Sequence, residues 1–125
     1  CRGRASELIE QEIVHRFMPH GVGHLLGIQV HDIAGHQQNV DGGTVAPPAH
    51  SPMLRNTRQC AKGMVFTIEP GCYFIPLLLE GERRDIRRKF YNWDLIEQLY
   101  PMGGIRIEDN VCVTAEGVEN LTAAV

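Results

Sequence analysis

The chain has 125 residues, 43% of them hydrophobic, enough for one globular domain and too apolar for a disordered segment. Its net charge of -3 and pI near 6.1 offer no basic surface for nucleic acid or an anionic membrane. The longest apolar run, Ile75 to Leu79, is broken by Pro76 and falls far short of the roughly 20 residues a membrane span needs.

Cys1-Arg-Gly-Arg-Ala-Ser carries neither an initiator methionine nor the apolar core of a signal peptide, so the natural chain is expected to begin further upstream. From Ser6, the apolar Ile9, Ile13 and Val14 recur at roughly helical spacing among Glu7, Glu10 and Glu12, predicting an amphipathic helix that Pro19 stops. Gly21, Gly23 and Gly27 then make the chain too glycine-rich for a stable helix. Ile28 to His31 alternates apolar and polar residues, which predicts a short strand. Residues 35–52, with three glycines and three prolines, read as a long surface loop.

After the Lys62-Gly63 turn, Met64 to Ile68 reads as a strand ending at Glu69-Pro70-Gly71, and Cys72 to Ile75 as another. Arg83, Arg84, Arg87 and Arg88 recur within the charged Glu80–Lys89 stretch. They predict a solvated helix face, with an anion or partner patch as the sharper alternative. Trp93 to Leu99 reads as a short helix closing before Pro101. The Gly103-Gly104 turn then launches a strand from Ile105 to Val113, and a hairpin turn around Glu116-Gly117 leads to Val118–Leu121. The fold class is α+β, without internal repeats. Cys1, Cys60, Cys72 and Cys112 lack Cys-x-x-Cys spacing, so neither a zinc cluster nor a disulfide framework is expected; a reducing, cytoplasmic setting fits better.

Three side chains carry the chemistry. His24 lies in Pro-His-Gly-Val-Gly-His, Glu69 in Thr-Ile-Glu-Pro-Gly, and Glu108 in Gly-Gly-Ile-Arg-Ile-Glu-Asp. One imidazole and two carboxylates from distant parts of the chain can build a site for a hard cation, and buried carboxylates otherwise need a partner. The plain alternatives are a half-exposed carboxylate at a strand end for Glu69 and a surface Arg106–Glu108 pair for Glu108. His20 and His31 flank His24 within twelve residues of glycine-rich chain, where backbone can approach a ligand closely. Arg55 could grip a terminal carboxylate through paired hydrogen bonds, or be a plain surface arginine.

Three runs together resemble the Xaa-Pro dipeptidases (prolidases), metallopeptidases with the pita-bread fold. They are Phe17 through Gly35, Gly63-Met-Val-Phe-Thr-Ile-Glu-Pro-Gly71 with Tyr73-Phe-Ile75, and Gly103-Gly-Ile-Arg-Ile-Glu-Asp-Asn110. They occur in the family's order and spacing, from about residue 7 onward, and look most like the bacterial branch, which includes organophosphorus acid anhydrolases. The resemblance implies a curved, mostly antiparallel sheet with flanking helices, the C-terminal portion of the creatinase/aminopeptidase-like catalytic domain. It implies that His24, Glu69 and Glu108 are metal ligands, with Glu108 bridging two divalent ions. Manganese is the expected metal, with cobalt or zinc as alternatives.

His20 and His31 match histidines that contact substrate and tetrahedral intermediate, and Arg55 the arginine holding the dipeptide carboxylate. Arg106 matches the arginine beside the bridging glutamate, and Glu69 would also shuttle a proton. The family's site has five ligands, two of them aspartates from an earlier strand pair that nothing here matches. Asp32 and Asp41 lie in the wrong motifs. The expectation is a partial catalytic domain over residues 1–125, without the family's N-terminal domain, inactive by itself, cytoplasmic, and homodimeric at full length. The substrate would be an Xaa-Pro dipeptide, with neither nucleic acid nor membrane as partner. Three other readings stand beside it: a different pita-bread aminopeptidase, a non-catalytic binding module of that fold, and a mononuclear metal enzyme of another fold.

Overall fold

Ile13, Leu79, Phe90, Tyr91 and Ile96 are buried against one another, with Leu8, Phe17, Phe74, Trp93 and Tyr100 packed around them. They are the core of one of two units into which a computed structural model of the chain, describing residues 1–123, divides. This first unit comprises Cys1–His20 and Gly71–Arg106, and the second Gly21–Pro70 and Ile107–Val125.

In the first unit the expected N-terminal helix is two short ones, α1 (Ala5–Glu10) and α2 (Val14–Phe17). Glu12 takes φ +57°, a left-handed conformation between them that no L-residue sustains in a helix, and the break lets Ile13 turn fully inward. Helix α3 (Pro76–Leu79) opens on Pro76, whose missing N–H costs nothing at a first helical turn. The arginine-rich stretch is not one helix but two 3-10 segments, Glu80–Arg84 and Ile86–Phe90, divided at Asp85, whose side chain caps the second by accepting from Arg87 N–H. Buried Glu82 draws Arg16 (2.8 Å) and Arg87 (3.1 Å) to one carboxylate oxygen, so this charge is compensated inside the core. Helix α4 (Trp93–Leu99) forms as expected, buries Ile96 and runs into a 3-10 turn at Tyr100–Met102.

The expected long strand Ile105–Val113 is split. Its first part, β5 (Gly104–Arg106), pairs antiparallel with β4 (Gly71–Tyr73) in the first unit. Its second part, β6 (Asp109–Val113), belongs to the second unit, where it lies between β3 (Val65–Ile68) and β7 (Val118–Asn120), antiparallel to both. The β6–β7 turn closes with Thr114 N–H donating to Gly117 O at 2.8 Å, as the hairpin reading requires. Ile28–His31 is a series of bends rather than a strand, and Ile28 is fully exposed. The expected loop at 35–52 instead begins in a 3-10 turn (Ile33–His36) and holds a small hairpin, β1 (Gln37–Asn39) with β2 (Gly42–Thr44). The architecture is α+β with antiparallel pairing throughout the described strands.

Candidate metal centre

The chain from Val22 to Leu26 has irregular backbone but runs antiparallel along β3. Glu69 N–H donates to Val22 O (2.7 Å), Thr67 N–H to His24 O (3.0 Å) and Leu26 N–H to Val65 O (2.9 Å). Gly23 permits this approach, since a Cβ there would collide with the Thr67 carbonyl oxygen. The register sets His24 across from Thr67, and strand alternation carries Glu69 to the same face.

His24 is 5% exposed and Glu69 8%. Their side chains meet, with Nε2 3.1 Å from Oε1. Nδ1 lies 3.0 Å from the Leu25 carbonyl oxygen, which can only accept, so Nδ1 carries a proton and Nε2 is the nitrogen turned to the carboxylate. Thr67 Oγ1 donates to Glu69 Oε1 at 2.9 Å and accepts from His24 N–H at 3.1 Å. A buried carboxylate turned to an imidazole nitrogen can share a positive charge with it, a proton or a cation, and the far nitrogen is anchored by a backbone carbonyl, as the free nitrogen of a ligating histidine often is.

Glu108 enters by register. Ile68 pairs with Asp109, so the next rung sets Glu69 across from Glu108, and Ile107 N–H donates to Pro70 O (3.1 Å) one rung further. Opposed residues of an antiparallel pair project to the same face. Glu108 is nevertheless exposed, and among the described residues no three His, Cys, Asp or Glu side chains converge closely enough to hold a metal. The donor types, an imidazole nitrogen and carboxylate oxygens on one face, fit a hard divalent cation; the drawn-in part is the His24–Glu69 pair. The His31 ring stands edge-on to His24, with centroids 4.4 Å apart. Arg55 is exposed and makes no ion pair among the described residues.

His20 and Arg106, in the first unit, converge on a residue the sequence reading did not single out. Arg106 Nε donates to the Tyr73 hydroxyl at 2.6 Å, and His20 Nε2 lies 3.0 Å from the same oxygen. The His20 and Tyr73 rings pack edge-to-face at 5.3 Å. Gly71 makes room, since a Cβ there would strike the Tyr73 ring. The available signal was spacing: Tyr73 lies two residues beyond Gly71, on the same face of a short strand. Thr67 was missed for a similar reason, since a threonine in a strand looks like ordinary β filler until its hydroxyl meets a buried carboxylate.

A family model described as metallopeptidase family M24 matches residues 3–115. The chain belongs to this family. Among curated M24 relatives, the Xaa-Pro dipeptidase of Glaesserella parasuis is 51% identical over 95% of this chain, and that of Escherichia coli O81 is 52% identical over 92%. The chain spans 27% and 26% of their lengths, about a quarter of each. Among solved structures, a variant of Escherichia coli aminopeptidase P superposes on the whole chain with TM-score 0.59 at 34% identity. Proline aminopeptidase P II from Yersinia pestis does so with TM-score 0.57 at 30% identity. The chain covers 21% and 22% of those structures. These neighbours have the pita-bread fold, and the α+β architecture agrees with it.

Proposed function

We propose that this chain is the C-terminal portion of the catalytic domain of a metal-dependent dipeptidase that cleaves dipeptides ending in proline. The observation that carries the reading is the buried His24–Glu69 contact, with Nδ1 of His24 tied back to Leu25 O and Glu108 across the strand from Glu69. His24, Glu69 and Glu108 would hold divalent cations, two in the assembled site. Manganese is the metal proposed on the oxygen-rich donor set, ahead of cobalt and zinc. When bound, such cations lower the pKa of a coordinated water and polarise the scissile carbonyl.

The chain's own groups have separate roles. Glu69 accepts and returns the proton of the attacking water, and its neighbour Thr67 keeps that carboxylate in place. His31 donates to the oxygen that gains charge at the reacting carbonyl, and His20 contacts the substrate. Arg106 is positioned through Tyr73. Arg55 grips the terminal carboxylate, which limits substrates to dipeptides and compensates for the hydrogen-bond donor that a prolyl nitrogen lacks.

The identity of 51% to a named Xaa-Pro dipeptidase supports the dipeptidase over the aminopeptidase, although the aminopeptidase P structures share the fold. The full-length protein is proposed to be a cytoplasmic homodimer that engages neither nucleic acid nor membrane. Among the described residues no helix is long and apolar enough to cross a membrane. The test is a comparison of substrates. Full-length protein with manganese should hydrolyse Gly-Pro and leave an Ala-Pro-Ala tripeptide largely intact; faster release of alanine from the tripeptide would favour the aminopeptidase. The 125-residue chain alone should turn over neither, and hydrolysis of Gly-Pro by it would contradict its assignment as part of a site.

A further inference from the structure

In the first unit, Arg2, Arg83, Arg88, Lys89, Tyr91 and Trp93 line a concavity of about 310 Å³. We propose that it is a binding site for a small, multiply charged oxyanion of the phosphate type.

The cations are gathered, not scattered. Arg2 comes from the opposite end of the sequence and is pinned there by its backbone N–H, which donates to Phe90 O at 2.7 Å. Arg88 and Lys89 come from the 3-10 segment Ile86–Phe90, which the Asp85 cap holds in place. Arg83 is already neutralised, with Nε on Glu80 at 2.8 Å and an NH2 group on Glu97 at 2.7 Å. Arg2, Arg88 and Lys89 make no ion pair among the described residues, and no carboxylate lines the cavity. Three exposed cationic residues border one hollow, and an anion seated among them would be attracted by all three.

The aromatic residues decide what kind of anion. The Trp93 ring is covered on one side by Tyr91, stacked with centroids 5.0 Å apart, and the Arg83 guanidinium carbon lies 4.3 Å from its centroid. Its indole N–H already donates to Arg88 O at 3.2 Å. A ligand's flat ring therefore finds no open aromatic face to stack on. With the Trp93 ring covered, recognition is left to guanidinium and ammonium groups. Guanidinium forks match the paired oxygens of a phosphoryl group. A free phosphate or pyrophosphate and a phosphoryl group on a small organic carrier share this chemistry.

The test is isothermal titration of metal-free protein with inorganic pyrophosphate and, separately, glycerol 3-phosphate, at fixed ionic strength set with chloride. Saturable one-to-one binding of either is expected, the first marking a free anion and the second an organic phosphate as the natural class. The double substitution Arg88→Gln, Lys89→Gln should weaken binding at least tenfold, while Arg84→Gln, at an exposed arginine outside the cavity, should leave it unchanged. Circular dichroism establishes that each variant is folded. Absence of saturable binding to both ligands, or an equal loss in Arg84→Gln, would overturn the proposal. Because the readout needs neither metal nor peptide, its outcome is independent of the dipeptidase assignment.

Discussion

Glu69 Oε1 receives the Thr67 hydroxyl at 2.9 Å while facing His24 Nε2 at 3.1 Å. One buried oxygen is thus held by a neutral hydroxyl donor on one side and meets an imidazole nitrogen on the other. Thr67→Val keeps the shape and removes the donor. It should destabilise the fold by about 1–3 kcal/mol, the usual cost of losing a buried hydrogen bond to a charged group. It should also weaken metal affinity by about 10-fold or more, the scale seen when a ligand's supporting hydrogen bond is lost. Denaturant melts and metal titration measure the two effects separately; unchanged values in both would mean that Thr67 does not orient Glu69.

Tyr73 joins His20 and Arg106 through one hydroxyl. Tyr73→Phe retains the ring and the edge-to-face packing while freeing both partners from that oxygen. In the full-length protein kcat should fall by about 100-fold, the low end of what one positioned proton-handling group contributes, with KM changed less. The pH profile should shift as well. A fall in stability with kcat intact would assign Tyr73 a packing role only.

Gly23 lies against the Thr67 carbonyl with no space for a methyl group. Gly23→Ala should force the 22–26 segment away from β3 and cost about 1–3 kcal/mol, as overpacking of tight sites does. Gly21→Ala, where a Cβ would meet nothing within 4 Å, is the matched control. Equal melting temperatures for the two variants would show that the close approach is dispensable.

The two ends of the pH range probe different groups. The Asp85 carboxyl lies below its ordinary range because the Arg87 side chain and backbone N–H both donate to it. Glu80 is lowered by the Tyr100 hydroxyl and then by Arg83. Carboxyls depressed in the folded state contribute stability above their unfolded pKa values, near 4, and lose it as pH falls through the lower folded values. Tyr91 moves the other way. Burial, and then Glu82, push its phenol up from 10.0 to about 12. Its contribution is complete below pH 10 and is lost as pH rises through about 12. Melts across pH 2–7 and a tyrosinate absorbance titration at high pH are the checks; a Tyr91 phenol ionising at 10 would contradict its burial.

The strand that ends beside Glu69 was legible because Val65, Thr67 and Ile68 are β-branched and lie between Gly63 and Pro70, and the one that begins after Glu108 because Val111 and Val113 alternate with Cys112. Helix α4 was legible by its apolar spacing and Pro101. Ile28–His31 misled, since alternation over four residues is a weak signal, and here Asp32 N–H reaches back to Leu25 O and curls the chain into bends. The 37–44 hairpin was hidden because its strands are three residues each, with Gln, Asn and Gly in place of β-formers. The split of Ile105–Val113 follows from pairing at a distance, β5 with β4 and β6 with β3, which no local pattern reports. At the site, residue types marked His24 and Glu69. The role of Thr67 and the hub at Tyr73 depend on which chain segment lies alongside, and that is tertiary information.

The central claim is that His24 and Glu69 hold a divalent cation, and titration of the metal-free protein with Mn²⁺, followed by electron paramagnetic resonance of the unbound ion, tests it most directly. Saturable binding should fall at least tenfold in both His24→Ala and Glu69→Gln while each variant remains folded by circular dichroism. Wild-type affinity in both variants would contradict the account.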